Sequence, residues 1–313
     1  MKQHYLAQTY QSGFLDPKPT PGHDPYTWIY VRAKQRWKSK APKNFAWITD
    51  LYTVFQADGT REDMIEKLLG AYEGRFTTAM RSDISRNPLS DDDRIGVAGF
   101  MALLLIRPPR FIKEFLPRVF SDEATLRALT ENVPRFAEAL KKSFRNPHPK
   151  DIATWFATLT ENEQKLVILR LLIPAVEKTA QKLYDLSWLF LVTSSNDRLI
   201  SSDTPMSFTN TSGQAAPLDL QQIDDPNIEI AMPMSAHLAL VLHHHGKKRS
   251  QSAGPANPGA AADLNSRVLW QSRDFVFTSG RSFPGDEELS AWTARTPMPD
   301  LSRIRVLVTR LAK

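Results

Sequence analysis

The stretch Leu199-Ile200-Ser201-Ser202-Asp203-Thr204-Pro205 is where the chain changes character. A long region of helical periodicity precedes it, and a region of short apolar runs and turn residues follows. It also carries the densest polar chemistry beside an apolar strand. Ser194-Ser195-Asn196-Asp197 reads as a turn, and Arg198 to Ser201 as a short strand running into the Ser-Ser-Asp-Thr-Pro element. Aspartate before Thr-Pro is an ordinary turn former, because its carboxylate bonds downstream backbone and proline fixes the next φ. The same placement makes Ser202 and Asp203 candidate site residues. A Ser202 nucleophile lacks the Gly-x-Ser-x-Gly elbow.

Upstream, Ile65, Leu68, Leu69, Tyr72 and Phe76 form one apolar face of a helix from Arg61 to about Ser82. Glu62, Glu66 and Glu73 border that face. Glu66 and Glu73 lie about 10 Å apart along the axis, too far to bind one metal ion directly but close enough to line one elongated pocket. A solvated helix boundary is the plain alternative. Ser90 and Asp93 begin the next helix like a capping box, and Asp91 to Asp93 suit its dipole. That helix runs through the apolar Val97 to Ile106 and stops before Pro108-Pro109. Arg107 at its end, with Arg110 beyond, either satisfies terminal carbonyls or faces a pocket and binds a carboxylate or phosphate.

Ser121 opens a further helix carrying Leu126, Leu129, Val133, Phe136 and Leu140. After Asn146-Pro-His-Pro149 comes a short helix, Ile152 to Leu159. Thr160 and Glu163 form a second capping box, opening a helix towards Leu186 with a kink expected at Pro174. Residues 61–187 thus read as a helical block, ahead of an apolar strand from Trp188 to Thr193.

At the N-terminus, a helical turn from Tyr5 to Tyr10 would put His4 and Gln8 on one face. A Pro-rich connector, Asp16 to Pro25, leads to a strand at Tyr26 to Arg32 and a basic partner at Gln35 to Lys40. Lys34, Arg36, Lys38, Lys40 and Lys43 surround Trp37, a mixture that suits nucleic-acid phosphates and bases. Lysines also guard edge strands against aggregation.

In the last third, Ile228 to Met232 and His237 to Leu242 read as strands joined through Pro233-Met234-Ser235. His243-His244-His245 then meets Gly246-Lys247-Lys248-Arg249. Successive strand residues point to opposite faces, which favours a basic hairpin tip over a metal tract. Residues 250–262 read as a flexible Gly/Pro/Ala loop, Ala262 to Ser272 as a helix carrying Asn265, and Asp274 to Thr278 and Arg303 to Thr309 as strands. No internal repeat, glycine-rich phosphate loop or His-Glu-x-x-His is present.

The totals set limits on this reading. With 313 residues, 42% of them apolar, the chain can bury a substantial core as a single α+β domain. A net charge of +6 and pI near 9.4 are compatible with a nucleic-acid partner. With no cysteine, disulfides, thiolate catalysis and Cys-bound zinc are excluded. The first residues lack an apolar signal core, and the Val97–Ile106 run is too short for a bilayer. A soluble, cytoplasmic protein without a membrane partner is expected.

The chain resembles the bacterial domain-of-unknown-function family DUF4238. The marks are His4-Tyr5-x-x-Gln8-x-Tyr10 with Phe14, the Trp28-to-Arg32 strand, Tyr52, the Glu66 and Glu73 helix, and Arg107-Pro108-Pro109. Ser202-Asp203-x-Pro205, Pro233-x-Ser235 and the Asn265 helix with its following strand complete them. They run in order over roughly residues 3 to 280. Ala7 departs from the family pattern, which has proline there. The resemblance implies no agreed substrate or catalytic assignment; it does imply a phage-defence or mobile-element context.

These residues suit phosphodiester chemistry. A carboxylate with histidine can hold a divalent ion, Mg²⁺ or Mn²⁺, or act as acid and base, while arginine stabilises a phosphorane-like charge. The first expectation is a nuclease-like hydrolase. In it His4, Glu73, Arg107 and Asp203 are catalytic, and Glu66, Glu73 and Asp203 are the metal ligands. Tyr5, Gln8, Ser202, Asn265, Lys247, Lys248 and Arg249 contact substrate. The second is a non-enzymatic module that binds nucleic acid or protein through its basic hairpins, with the polar set only holding the structure together. Convergence of the set on one open cleft favours the enzyme; a scattered or fully paired set favours the module. The fold expected is α+β, a mainly helical central block packed against a mixed or antiparallel sheet from the N-terminal strands and the C-terminal third. The His4 segment should then return to the Ser202-Asp203 turn.

Overall fold

The computed structural model describes residues 1–55, 59–62, 64–84, 88–109, 149–210, 213, 215–216, 220–246 and 248–295. The N-terminal part comprises β1 (Lys2–His4), α1 (Gln8–Ser12), β2 (Thr27–Val31), β3 (Arg36–Lys40), β4 (Trp47–Thr49), β5 (Val54–Phe55) and β6 (Arg61–Glu62). The helices α2 (Met64–Arg81), α3 (Asp91–Ile106), α4 (Pro149–Thr158) and α5 (Glu161–Asp185) follow. The last third holds β7 (Ser187–Val192), β8 (Ser201–Ser202), β9 (Ser207–Asn210), β10 (Ala215–Ala216), β11 (Ile228–Ser235), β12 (Leu238–His243), β13 (Gln251–Pro255), α6 (Ala260–Gln271), β14 (Phe275–Thr278) and α7 (Leu289–Ala294). The fold is α+β.

The helices start where their caps dictate. Ser90 Oγ accepts the Asp93 amide at 3.1 Å, and Asp91 to Asp93 occupy the first turn of α3. Thr160 and Glu163 bond each other reciprocally at the start of α5, which then passes Pro174 without a break. α3 is buried from Gly96 to Ile106, between α2 and α5. A Cβ on Gly99 would fall 2.0 Å from the Tyr72 ring, so glycine is what lets α2 lie against α3.

Two larger sheets stand where one was expected, beside the two-stranded pairs β1-β4 and β5-β6. The six-stranded sheet has the order β10-β9-β11-β12-β7-β13, and the four-stranded sheet β3-β2-β14-β8. Period-2 alternation gives each sheet two apolar faces. On the first, Trp188, Phe190, Phe208, Ile230, Met232, Leu240 and Leu242 join Ile29 and Phe277 in the main core with α2, α3 and α5. On the second, Ala231, Ala239 and Val241 pack on Leu199, Ala261 and Leu264. Val276 packs there on Ile200, Val268, Leu269, Phe283 and Trp292. α6 therefore bridges the backs of both sheets. Leu199 and Ile200, neighbours in the opening stretch, go to different clusters and mark the seam between the sheets.

Several local expectations are corrected. The strand expected at Arg198 to Ser201 is the pair Ser201–Ser202, held by Val276 and Phe277. The expected loop 250–262 contains β13, paired parallel to β7, and the first turn of α6. Gln251-Ser-Ala-Gly-Pro255 lacks alternation because it is an edge strand held by backbone bonds, with its side chains largely exposed. β11 runs through Pro233 to Ser235 rather than turning there. Its pairing with β9 ends at Ala231, and the β12 register slips after Pro233, so the missing amide is tolerated. Arg110, the Ser121–Leu140 helix, Lys247 and the Arg303–Thr309 strand lie outside the described residues. Among the described residues no helix is long and apolar enough to cross a membrane.

Candidate functional site

β1 pairs antiparallel with β4, His4 opposite Trp47, and so carries the N-terminus onto α2 and α3. Buried Gln3 fixes this placement. Its Oε1 accepts the Tyr52 amide at 2.6 Å, and its Nε2 donates to Thr53 Oγ1 at 2.9 Å and Glu66 Oε1 at 2.6 Å. Glu66 is also ion-paired with Arg61. Gln3 was not legible as important, because a three-residue strand offers no periodicity.

Arg107 follows α3 and is 7% exposed. Its Nη1 donates to Glu73 Oε1 at 2.5 Å, its Nε to Tyr52 Oη at 3.1 Å, and its Nη2 to the His4 carbonyl. The Tyr52 hydroxyl in turn donates to the Arg107 carbonyl at 3.0 Å. Burial works against the Arg107 charge, but Tyr52 and Glu73 more than offset it and hold its pKa above the ordinary guanidinium value. Burial pushes the Tyr52 phenol up to about 12, against the pull of Arg107. His4, Glu73 and Arg107 thus do converge, but Arg107 is spent on three internal acceptors. The His4 imidazole is held below its ordinary pKa, mainly by burial and further by Arg107, while the Lys43 and Pro42 backbone and Glu73 oppose this. Its Nδ1 stands 3.4 Å from Gln8 Nε2, and its buried Nε2 makes no hydrogen bond of normal geometry.

The N-terminal segment also returns to the opening stretch, through its tyrosines. Tyr10 Oη lies 2.7 Å from Ser201 Oγ and donates to the Pro233 carbonyl at 2.6 Å. Tyr5 feels Asp203, Asp274 and Tyr52, which together with burial raise its pKa. Asp203 itself faces elsewhere: its carboxylate accepts the Arg273 amide at 3.0 Å and the Asp274 amide at 3.1 Å. Burial, then Asp274, raises its pKa to about 8 against those amides.

Three expected roles are corrected on this geometry. Ser202 is fully buried and accepts the Thr204 amide at 3.0 Å, closing the turn rather than meeting substrate. Asn265, also fully buried, accepts the Ile200 amide and donates to the Arg198 and Pro284 carbonyls, each at 2.9 Å. It clamps the seam between the sheets. The expected metal set does not form: Glu66 goes to Arg61 and Gln3, Glu73 to Arg107, and Asp203 to backbone amides. Among the described residues no group of three or more His, Asp or Glu is arranged to hold a metal ion. A missed residue, Arg94, is buried and donates to the Tyr184 carbonyl at 3.0 Å and the Leu186 carbonyl at 2.6 Å, closing the end of α5.

The basic hairpin differs from this paired interior. Arg36, Lys38 and Lys40 alternate along the edge strand β3 and share a face, with Lys34 just before them. Among the described residues none of these four forms an ion pair, whereas Lys43 pairs with Asp24 at 2.6 Å. Arg36, then Lys34, lowers the Lys38 pKa, the mark of unneutralised like charge. Trp37 turns to the other face, edge-on to Tyr30 with ring centres 5.3 Å apart. The tip after β12 is partly neutralised, because Arg249 bonds Asp185 at 2.7 Å.

Fold and site together define an α+β protein with two larger sheets between helical layers, an internally paired polar cluster behind the N-terminal strand and a basic sheet edge. The chain belongs to the family described as protein of unknown function (DUF4238), whose model matches residues 2–282. Comparisons with curated proteins and with solved structures return no significant match.

Proposed function

We propose that this protein is a nucleic-acid-binding module that works through the β3 edge, and that the Arg107 cluster is structural. The observation that carries this reading is the run of Lys34, Arg36, Lys38 and Lys40, unpaired among the described residues and with charges that repel one another. A polyanion relieves that repulsion and releases its own counterions on binding. Salt titration of labelled single-stranded and duplex DNA and RNA, read by fluorescence anisotropy, tests it. Wild type binds with salt-sensitive affinity, and a variant with all four residues changed to alanine does not. Equal affinity in the two proteins removes the proposal.

A second reading, phosphodiester hydrolysis, draws on His4. Burial lowers the pKa of its imidazole against the Lys43 and Pro42 backbone, and its Nε2 makes no hydrogen bond of normal geometry, a combination that suits proton transfer. Cleavage of the same oligonucleotides, lost in folded His4→Ala and unaffected in Gln8→Ala, would support it.

A further inference from the structure

Behind the histidine tract lies a cavity of about 210 Å³, walled by Lys182, Asp185, Ser187, Asp224, His243, His244 and Lys248, with Leu186 and Ile223 as its apolar part. It forms where the end of α5 meets the turn after β12. Gly246, at φ +89°, and Arg249, at φ +61°, shape that turn and bring Lys248 to the wall. The wall charges are unevenly spent. Lys182 pairs with Asp224 at 2.6 Å, and Asp185 with Arg249 at 2.7 Å. Lys248 forms no ion pair among the described residues. His244 donates Nε2–H to the Ile223 carbonyl at 2.7 Å. His243 Nδ1 is buried and makes no hydrogen bond, an arrangement that carries a desolvation cost until a ligand meets it. At the end of α5 Arg94 covers the Tyr184 and Leu186 carbonyls, and the wall carboxylates Asp185 and Asp224 are each met by a cation, Arg249 and Lys182.

We propose that this cavity binds a phosphate group, with Lys248 and His243 Nδ1 as its donors and Lys182, which keeps its pairing with Asp224, adding one of its remaining N–H groups. The volume argues for the group alone, since pockets for larger organic ligands run to roughly 300–1,000 Å³. Free inorganic phosphate and the head of a phosphate monoester share this chemistry. The site is separate from β3 and does not depend on nucleic-acid binding there.

The test is calorimetric titration of the full chain, in phosphate-free buffer, with inorganic phosphate, ribose 5-phosphate and ribose. One saturable site for phosphate is expected, weakened about tenfold in the exposed-lysine variant Lys248→Ala and weakened in His243→Gln, with unchanged circular dichroism. Ribose 5-phosphate binding more tightly than phosphate assigns the site to a monoester head, and equal or weaker binding to the free anion; ribose alone does not bind. Absence of saturable binding by either phosphate compound, or an affinity unchanged in Lys248→Ala, overturns the proposal.

Discussion

Replacing Arg107 by methionine separates a structural tie from a ligand contact. The side chain keeps most of its bulk but loses three hydrogen bonds at once: to Glu73 Oε1 at 2.5 Å, to Tyr52 Oη at 3.1 Å, and to the His4 carbonyl. It also loses its place over the Tyr52 ring, 5.3 Å from the centroid. What remains is a carboxylate whose partner has gone. Removing one member of a buried pair costs about 3–5 kcal/mol, and the Glu73 side chain, 25% exposed, recovers part of this through water. The expected loss is therefore about 3 kcal/mol in urea unfolding followed by tryptophan fluorescence. Arg107→Met with Glu73→Leu should restore at least about 1 kcal/mol, because no charge is then stranded. Both variants, once folded, should bind oligonucleotides as wild type does. A stability loss under about 1 kcal/mol, together with a tenfold loss of oligonucleotide affinity, would refute the reasoning and return Arg107 to a ligand site.

Asp203 predicts a pH profile. Its folded pKa of about 8 lies above its ordinary 3.8, so the folded state holds the proton longer. Its contribution to stability is complete below the ordinary range and fades as pH rises towards 8, by roughly 6 kcal/mol at most. Urea midpoints should fall between pH 4.5 and 8.5 and flatten in Asp203→Asn; equal slopes in both proteins would contradict this. Asn265→Ala strips one buried and two part-buried backbone groups of their partner and should cost about 3 kcal/mol in the same assay; a cost under 1 kcal/mol would remove Asn265 as the clamp of the seam. Ala7 sits at φ −56°, the angle a proline would impose. Ala7→Pro should therefore raise stability by about 0.5–1 kcal/mol, and a lower thermal midpoint would show that the ring does not fit.

What the sequence revealed tracks the kind of force involved. Caps and periodicity are local, so Ser90, Thr160-Glu163 and the apolar faces of α2 and α3 were legible. The proline expected at position 7 from the resemblance would suit the backbone, which has a proline-like angle with alanine in place. The division into two sheets was not legible, because nothing in Leu199-Ile200 says that consecutive side chains enter different cores. β13 was missed because an edge strand held by backbone bonds needs no alternation. The polar residues stand out in the sequence, but their partners are non-local. Ser202 and Asn265 look reactive in sequence and are buried with backbone partners in the fold. Gln3, which fixes the N-terminal strand, gives no local signal at all.

The central claim is that the β3 edge binds nucleic acid by charge, and its most direct measurement is the slope of log affinity against log salt for duplex DNA. Four cations at phosphates predict a slope of about −3.6 for wild type. Arg36→Ala with Lys38→Ala should make it shallower by about 2, while Arg107→Met leaves it unchanged. A slope unaffected by the β3 substitutions, or absence of binding at low salt, contradicts the account.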